Sequence, residues 1–159
     1  MNPQGPSRPD IHIAPPIVFM AGFLFGFLLD RYLIAMRISG AASRSVALVG
    51  LVLMVAGAVL AIAGVVAFRR ARTTILPFRA ASAMVRDGPY RFTRNPMYVG
   101  MTLGYLGLSL AFNTAWPILL LPLVLVAMVK LVITKEEEYL EAVFGDDYRA
   151  YKRDVRRWI

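Results

Sequence analysis

The chain alternates between long uncharged stretches and short charged ones, and the spacing of that alternation predicts its elements. Ile17 to Leu29 reads IVFMAGFLFGFLL, entered through Pro15-Pro16 and closed by Asp30-Arg31. A helix needs about 20 apolar residues to cross the hydrocarbon of a bilayer. The first span therefore borrows from its flanks and is placed at 13–33. Ser45 to Phe68 carries no charge between Arg44 and Arg69-Arg70, which predicts a second span, 45–68, with room for tilt. A further apolar region from Val99 to Ile133 is broken by Asn113-Thr114-Ala115-Trp116-Pro117. Asn and Thr suit helix caps and Pro suits a first helical turn. Two shorter spans, 98–112 and 116–133, are predicted there as a packed hairpin.

After Ile133 the pattern changes. Leu140, Val143, Phe144, Tyr148, Tyr151, Val155 and Trp158 recur at helical intervals, so an amphipathic helical tail, 135–159, is predicted to lie on the membrane or against the chain's own loop. Gly145 followed by Asp146 predicts a bend. Arg149, Lys152, Arg153, Arg156 and Arg157 form a basic face suited to anionic headgroups. The fold class is thus all-α: one polytopic membrane domain, 1–159, with about four transmembrane helices, a connecting loop at 69–97 and a C-terminal amphipathic helix.

Composition agrees with a membrane protein. Of 159 residues 58% are apolar and 18% charged, and the mean hydropathy is +0.58. With no Cys and one His, His12, thiolate sites, His-cluster metals and His-dependent triads are excluded, and no metal is expected. The formal charge of +8 would suit nucleic acid in a soluble protein. Its placement points elsewhere. With four spans, fifteen Lys and Arg fall on the side of both termini and the 69–97 loop, against Arg31, Arg37 and Arg44 on the other. Both termini are therefore expected in the cytoplasm, with anionic lipid rather than nucleic acid as partner. A secretory signal is the weaker reading of the first apolar run, because only Arg8 precedes it and Ser39-Gly40-Ala41-Ala42 is its sole cleavage-like feature.

Smaller features have structural readings. Gly22-x-x-x-Gly26 and Gly100-x-x-x-Gly104 permit close helix contact, within the fold in preference to a dimer. Asp30 and Arg31 are expected to snorkel at an interface, and Trp116 and Trp158 to anchor there. Tyr105 faces the pocket or packs.

The segment TTILPFRAASAMVRDGPYRFTRNPMYVG, Thr73 to Gly100, holds the candidate chemistry. It has too many Pro and Gly for a continuous helix, and Ile75, Leu76, Phe78, Met84, Val85, Tyr90, Phe92, Met97 and Tyr98 give it surface to bury. Asp87-Gly88-Pro89 predicts a turn. Pro96 holds Asn95 out of helical geometry and opens the next helix, so Arg91, Arg94 and Asn95 gather at a helix N-terminus suited to an anion. Glu136, Glu137 and Glu138 stand at the end of the last span. One reading is simple ion pairing with loop arginines. The functional reading is a zwitterion site, with Arg94 and Asn95 taking a carboxylate and Glu136 and Glu137 taking an ammonium or ribose hydroxyls.

GPYRFTRNPMYVG followed by EEEYLEAVFGDDYRAYKRDVRR resembles the isoprenylcysteine carboxyl methyltransferase and phospholipid methyltransferase superfamily of integral membrane enzymes. Gly88, Tyr90, Arg94, Pro96, Tyr98 and Gly100 match its first signature, and Glu136, Glu137, Leu140, Phe144, Gly145, Tyr148 and Tyr151 its second. The resemblance implies an S-adenosylmethionine pocket at the cytoplasmic surface. Arg94, Asn95, Tyr98 and Gly100 would surround the methionine part, Glu136 and Glu137 would meet its ammonium or the ribose hydroxyls, Met84 and Val85 would flank the adenine, and Tyr90 and Pro96 would complete the lining. Asn95 stands where the family pattern has His, and Asn does not titrate near neutrality. Arg91 and Arg94 are the candidates to position a lipidic or small acceptor, whether carboxylate, thiol or amine. No Gly-rich strand-to-helix fingerprint is present, which excludes a soluble Rossmann methyltransferase. The competing readings are a non-enzymatic membrane scaffold that binds lipid, and a nicotinamide-dependent membrane reductase.

Overall fold

The computed structural model describes residues 9–40, 44–76 and 79–159. Arg8, Phe78 and part of the cleavage-like Ser39–Ala42 run lie outside those residues. Within them the chain is helical and holds no strand: α1 Pro15–Tyr32, α2 Arg44–Arg70, a 3-10 turn Gly88–Arg91, α3 Pro96–Ala111, α4 Trp116–Met128, a π turn Val129–Ile133, α5 Thr134–Phe144 and α6 Asp146–Asp154. Three helices are long and apolar enough to cross a membrane, Pro15–Tyr32, Arg44–Arg70 and Trp116–Phe144. At 16 residues, α3 is shorter, about 24 Å long.

The last helix continues past Ile133, where the hydropathy pattern ends the span. From Trp116 the helix runs without a break through the π turn to Phe144. The separate tail helix expected over 135–159 is accordingly two pieces, and only α6 departs, after Gly145 at φ 56°. A π turn admits one extra residue per turn and rotates everything beyond it relative to a regular helix. The face that α5 presents is therefore set by Val129–Ile133.

The closest helix pair is α2 with α3, antiparallel, and glycines make it. Gly50, Gly57 and Gly64 recur every seven residues on α2 and are all buried. Gly50 meets Gly107 and Gly57 meets Gly100, backbone against backbone. A methyl at Gly100 would fall 2.6 Å from the Gly57 carbonyl oxygen, and one at Gly107 would fall 2.5 Å from that of Gly50. In the Gly100-x-x-x-Gly104 pattern both backbones lie beside Gly57, but only Gly100 needs to lack a side chain, because a methyl on Gly104 would point into open space. Gly22 and Gly26 admit α4 to α1, at Val124 and Pro117. Phe19, Tyr98, Tyr105, Leu121, Val124, Met128, Val132 and Ile133 form the main core between α1, α3 and α4, with Trp158 packed on it. Tyr105 packs edge-on to Phe23 and donates its hydroxyl to the Pro117 carbonyl at 2.9 Å.

At one end of the bundle, Asn113 sits in the left-handed region, φ 52°, and turns the chain between α3 and α4. Its side chain accepts the Ser39 N–H at 3.0 Å and donates to the Ser39 carbonyl at 3.1 Å. Asp30 is buried, 8% exposed, and accepts the Met36 N–H at 2.8 Å. It does not snorkel as expected, because it serves the turn after α1; Arg31 is the exposed member of the pair. The Trp116 indole donates to the Ile34 carbonyl at 2.7 Å. The N-terminal segment, the loop and the tail meet at the opposite end, where the Lys135 ammonium donates to the Asp10 carbonyl at 2.7 Å.

Candidate functional site

The loop after α2 is folded back on itself rather than extended. The Thr73 hydroxyl accepts the N–H groups of Ser82 and Ala83 at 3.0 and 3.3 Å, and the Tyr139 hydroxyl of α5 accepts that of Ala81 at 3.0 Å. Val85 and Tyr90 bury against Ala67, Phe68 and Ala71 at the end of α2. The 3-10 turn at Gly88–Arg91 answers to the expected Asp87-Gly88-Pro89 turn, with Gly88 at φ 60°. The tail packs onto this loop: the Tyr151 hydroxyl donates to the Tyr90 carbonyl at 2.7 Å, and Arg86 donates to the Asp147 carbonyl at 2.7 Å. The last residues return along the start of α3. The Arg94 N–H donates to the Arg156 carbonyl at 2.9 Å, and the Thr93 hydroxyl and Asn95 amide donate to that of Arg157 at 3.2 and 2.9 Å.

Between loop, α3, α5 and α6 lies a cavity that is open on one side. Met84, Val85, Tyr90, Arg94, Asn95, Tyr98, Glu136 and Glu137 all line it. Three expected site residues do not. Gly100 faces α2, where its missing side chain admits Gly57. Pro96 is buried as the first residue of α3, and Arg91 is exposed outside the cavity.

The carboxylates divide. Glu136 is reached by the Tyr98 hydroxyl, at 2.9 and 3.0 Å from its two oxygens. Glu137 is held by two arginines: Arg157 donates through Nε and Nη2 at 3.0 and 2.6 Å, and Arg94 Nη1 lies 3.1 Å away. Arg94 is only 11% exposed at its side chain; among the described residues its buried Nε has no hydrogen-bond acceptor, and Nη1 has the Glu137 carboxylate near it but off hydrogen-bond geometry. A buried guanidinium donor without an acceptor is costly and suits an anion. The walls supply Ile75, Met84, Val85, Leu140 and five tyrosines, Tyr90, Tyr98, Tyr139, Tyr148 and Tyr151. Burial pushes the Tyr151 phenol up to about 12 and raises those of Tyr90 and Tyr148 further. These loop and tail phenols stay neutral and act as donors and π surfaces, not as bases. Fork pairing with Glu137 raises Arg157 from its ordinary value.

Two site elements are missing from the sequence-based reading. Tyr148 and Tyr151, matched to the family signature but read as one apolar face, line the cavity; their spacing of three was the available signal. Arg157, read as facing headgroups, pairs with Glu137. On the same basic face Arg149 and Lys152 pair with Glu141 at 3.6 and 2.8 Å.

Apolar helices, with a cavity of mixed charged, aromatic and apolar lining between one loop and the continuation of the last helix, mark an integral membrane protein with a candidate site at one end. Residues 46–147 match the model of a family described as phospholipid methyltransferase, well over half of the chain. The chain belongs to that family. Over 72 residues, 45% of this chain and 30% of the relative, it is 39% identical to protein-S-isoprenylcysteine O-methyltransferase of Schizosaccharomyces pombe. Over 27 residues, 17% of this chain and 43% of the relative, it is 63% identical to an uncharacterized protein of Haemophilus influenzae. The matched stretch is thus less than half the length of either relative. No solved structure matches the chain.

Proposed function

We propose that the chain transfers the methyl group of S-adenosylmethionine to a lipid-borne carboxylate at the cytoplasmic membrane face, as one domain crossing four times with both termini inside. The observation that carries this is the pairing of opposite poles in one cavity: Arg94, whose buried Nε has no hydrogen-bond acceptor and whose Nη1 has only the shared Glu137 carboxylate beside it, and Glu136, with no cation on it, both among the described residues. A zwitterionic amino-acid moiety has both complements, and the apolar wall of Ile75, Met84 and Val85 suits an adenine. The fit concerns residues present, and it divides the two glutamates: Glu136 receives the ligand's ammonium, whereas Glu137 is the arginines' counterion.

When bound, S-adenosylmethionine supplies a methyl group already activated on a sulfonium. The protein's share is then alignment, charge balance and exclusion of water. The Tyr98 hydroxyl orients Glu136, and the tyrosine rings offer negative faces to a cation. A carboxylate acceptor attacks as it stands. An ammonium acceptor must first lose a proton, which the neutral phenols of Tyr90, Tyr148 and Tyr151 and the amide of Asn95 cannot take, and in this reading Glu136 is already committed to the cofactor's ammonium and Glu137 to the arginines. This supports O-methylation over N-methylation, in keeping with the name of the yeast relative. It makes an isoprenylcysteine carboxylate the acceptor to try first. Four crossings follow if α3, antiparallel to α2, shares its depth. The unbroken Trp116–Phe144 helix, about 43 Å long, exceeds the ~30 Å hydrocarbon and carries α5 to the surface.

Calorimetry of S-adenosylmethionine and S-adenosylhomocysteine on the protein in nanodiscs tests the reading, followed by methyl transfer to a farnesylcysteine analogue. Binding of both ligands and none of NADPH is expected. NADPH binding alone would establish the reductase, and binding of none to folded protein would leave the scaffold.

A further inference from the structure

The two arginines on Glu137 approach it differently. Arg157 makes a complete fork, Nε to one carboxylate oxygen and Nη2 to the other, at 3.0 and 2.6 Å. Arg94 has one nitrogen near, Nη1 at 3.1 Å, off the line of a hydrogen bond. Arg94 lines the cavity, and Arg157 does not. Two guanidinium groups and one carboxylate leave one positive charge in excess, and it faces the cavity through Arg94. Without Arg157, a carboxylate buried to 9% exposure would take the Arg94 fork for itself. The cluster would then be neutral, and the Arg94 donors would be turned from the cavity.

We infer that Arg157 is a positioning residue for a ligand carboxylate: by occupying Glu137 it leaves the Arg94 guanidinium free toward the cavity. The C-terminal strap, residues 155–158, is thereby part of the binding machinery. The strap is set from both sides. Its carbonyls at Arg156 and Arg157 receive the Arg94 N–H, the Thr93 hydroxyl and the Asn95 amide, and Trp158 packs on the main core. Asn95 in this arrangement holds the strap, which needs an amide donor and no titratable ring. The inference rests on the reading of the cavity as an S-adenosylmethionine site.

The test compares S-adenosylhomocysteine with 5′-methylthioadenosine, which keeps the adenosine and thioether but has neither carboxylate nor ammonium. Both are titrated into the full chain in nanodiscs, as the parent and as Arg157→Ala, Arg157→Lys, Glu137→Gln and Arg157→Ala/Glu137→Gln. Loss of a charge-assisted contact predicts about tenfold weaker S-adenosylhomocysteine binding in Arg157→Ala, with methylthioadenosine within about twofold of the parent. Arg157→Lys recovers part of the loss. On the Glu137→Gln background Arg157→Ala has little further effect, because the two act as one unit. Equal loss for both ligands, or no loss for either, overturns the inference and leaves the strap structural. Failure of both ligands to bind the folded parent instead overturns the cofactor reading on which it rests. Arg157→Gln replaces the alanine variant in the same comparison if that variant's melting temperature shows it unfolded.

Discussion

The α2–α3 seam and the loop–tail cap both depend on close approach, but they achieve it by opposite means. In the seam, Gly50 and Gly57 put backbone on backbone against Gly107 and Gly100, with no side chain and no charge between them. In the cap, Glu137 brings Arg94 and Arg157 together, and a ring of hydroxyl and amide donors takes the strap carbonyls. Apolar side chains gain nothing by leaving lipid for one another, so helices inside a membrane associate through packing at small residues. Beyond the hydrocarbon, water competes for every polar group, and a buried hydrogen-bonded and ion-paired network is what holds a fixed geometry. One region fixes the fold and the other forms the candidate site.

The largest separation between them should come from Gly57→Leu. A branched side chain cannot pass the Gly100 backbone, so α2 and α3 must part, and a loss of at least about 3 kcal/mol is expected, the upper range for overpacking. Thermal unfolding in detergent reads it. Gly104→Leu is the matched control, since Gly104 faces open space, and its melting temperature should stay near the parent's. If both variants unfold alike, the seam is not where close contact matters.

Glu136→Gln should do the reverse. It removes the cavity's negative pole and keeps the shape, so cofactor affinity should fall by about 10- to 100-fold, the scale of a hydrogen bond to a charged group. The melting temperature should hardly move. Glu137→Gln should lose both affinity and stability, since it leaves two arginines facing one another. If the two variants behave identically, the division of roles between the glutamates is wrong.

Spans and signature residues were legible in the sequence because both are local patterns. Charge-free runs locate α1 and α2 within a few residues, and Arg94-Asn95 with Glu136-Glu137 picks out residues that do line one cavity. What was not legible depends on facing. Gly50, Gly57 and Gly64 are conspicuous only when read seven apart and against a partner whose position no single-helix pattern contains. Gly100 looks like a ligand-binding glycine until α2 is seen against it. The π turn at Val129–Ile133 has no residue signature, since VKLVI would serve a regular helix, yet it sets which face of α5 meets the cavity. Arg157 was misread because a basic side chain near a membrane has two destinations, headgroups or a buried carboxylate, and its own sequence neighbourhood suits both.

Tyr151→Phe probes the cap more gently. The Tyr90 carbonyl loses its 2.7 Å donor, which should cost about 1 kcal/mol, with a few-fold weaker cofactor affinity from a looser loop. The variant should also change the alkaline limit. Burial raises the Tyr151 phenol to about 12 from its ordinary 10.0, so the unfolded chain releases that proton first. Its contribution to stability is whole below the unfolded value and is lost as pH rises from there through about 12. Melting temperatures followed from neutral pH upward should fall less steeply in the phenylalanine variant. An identical alkaline slope would mean that Tyr151 is not buried against the loop.

The smallest effect is expected at Arg149, and it marks where the cap ends. Arg149 pairs with Asp146 at 2.7 Å and Glu141 at 3.6 Å, so it has as many carboxylate neighbours as any cation in the site. Counting contacts would rank it with Arg157. Exposure separates them, because the side chain of Asp146 is 97% exposed and that of Glu137 only 9%. Ion pairs in water gain little over their hydrated partners and are screened by salt. Arg149→Ala should therefore shift the melting temperature by less than about 2 °C and leave ligand affinity unchanged. An affinity loss like that of Arg157→Ala would mean that the basic face of α6 acts on the cavity as a whole. The Glu137 fork would then be one contact among several.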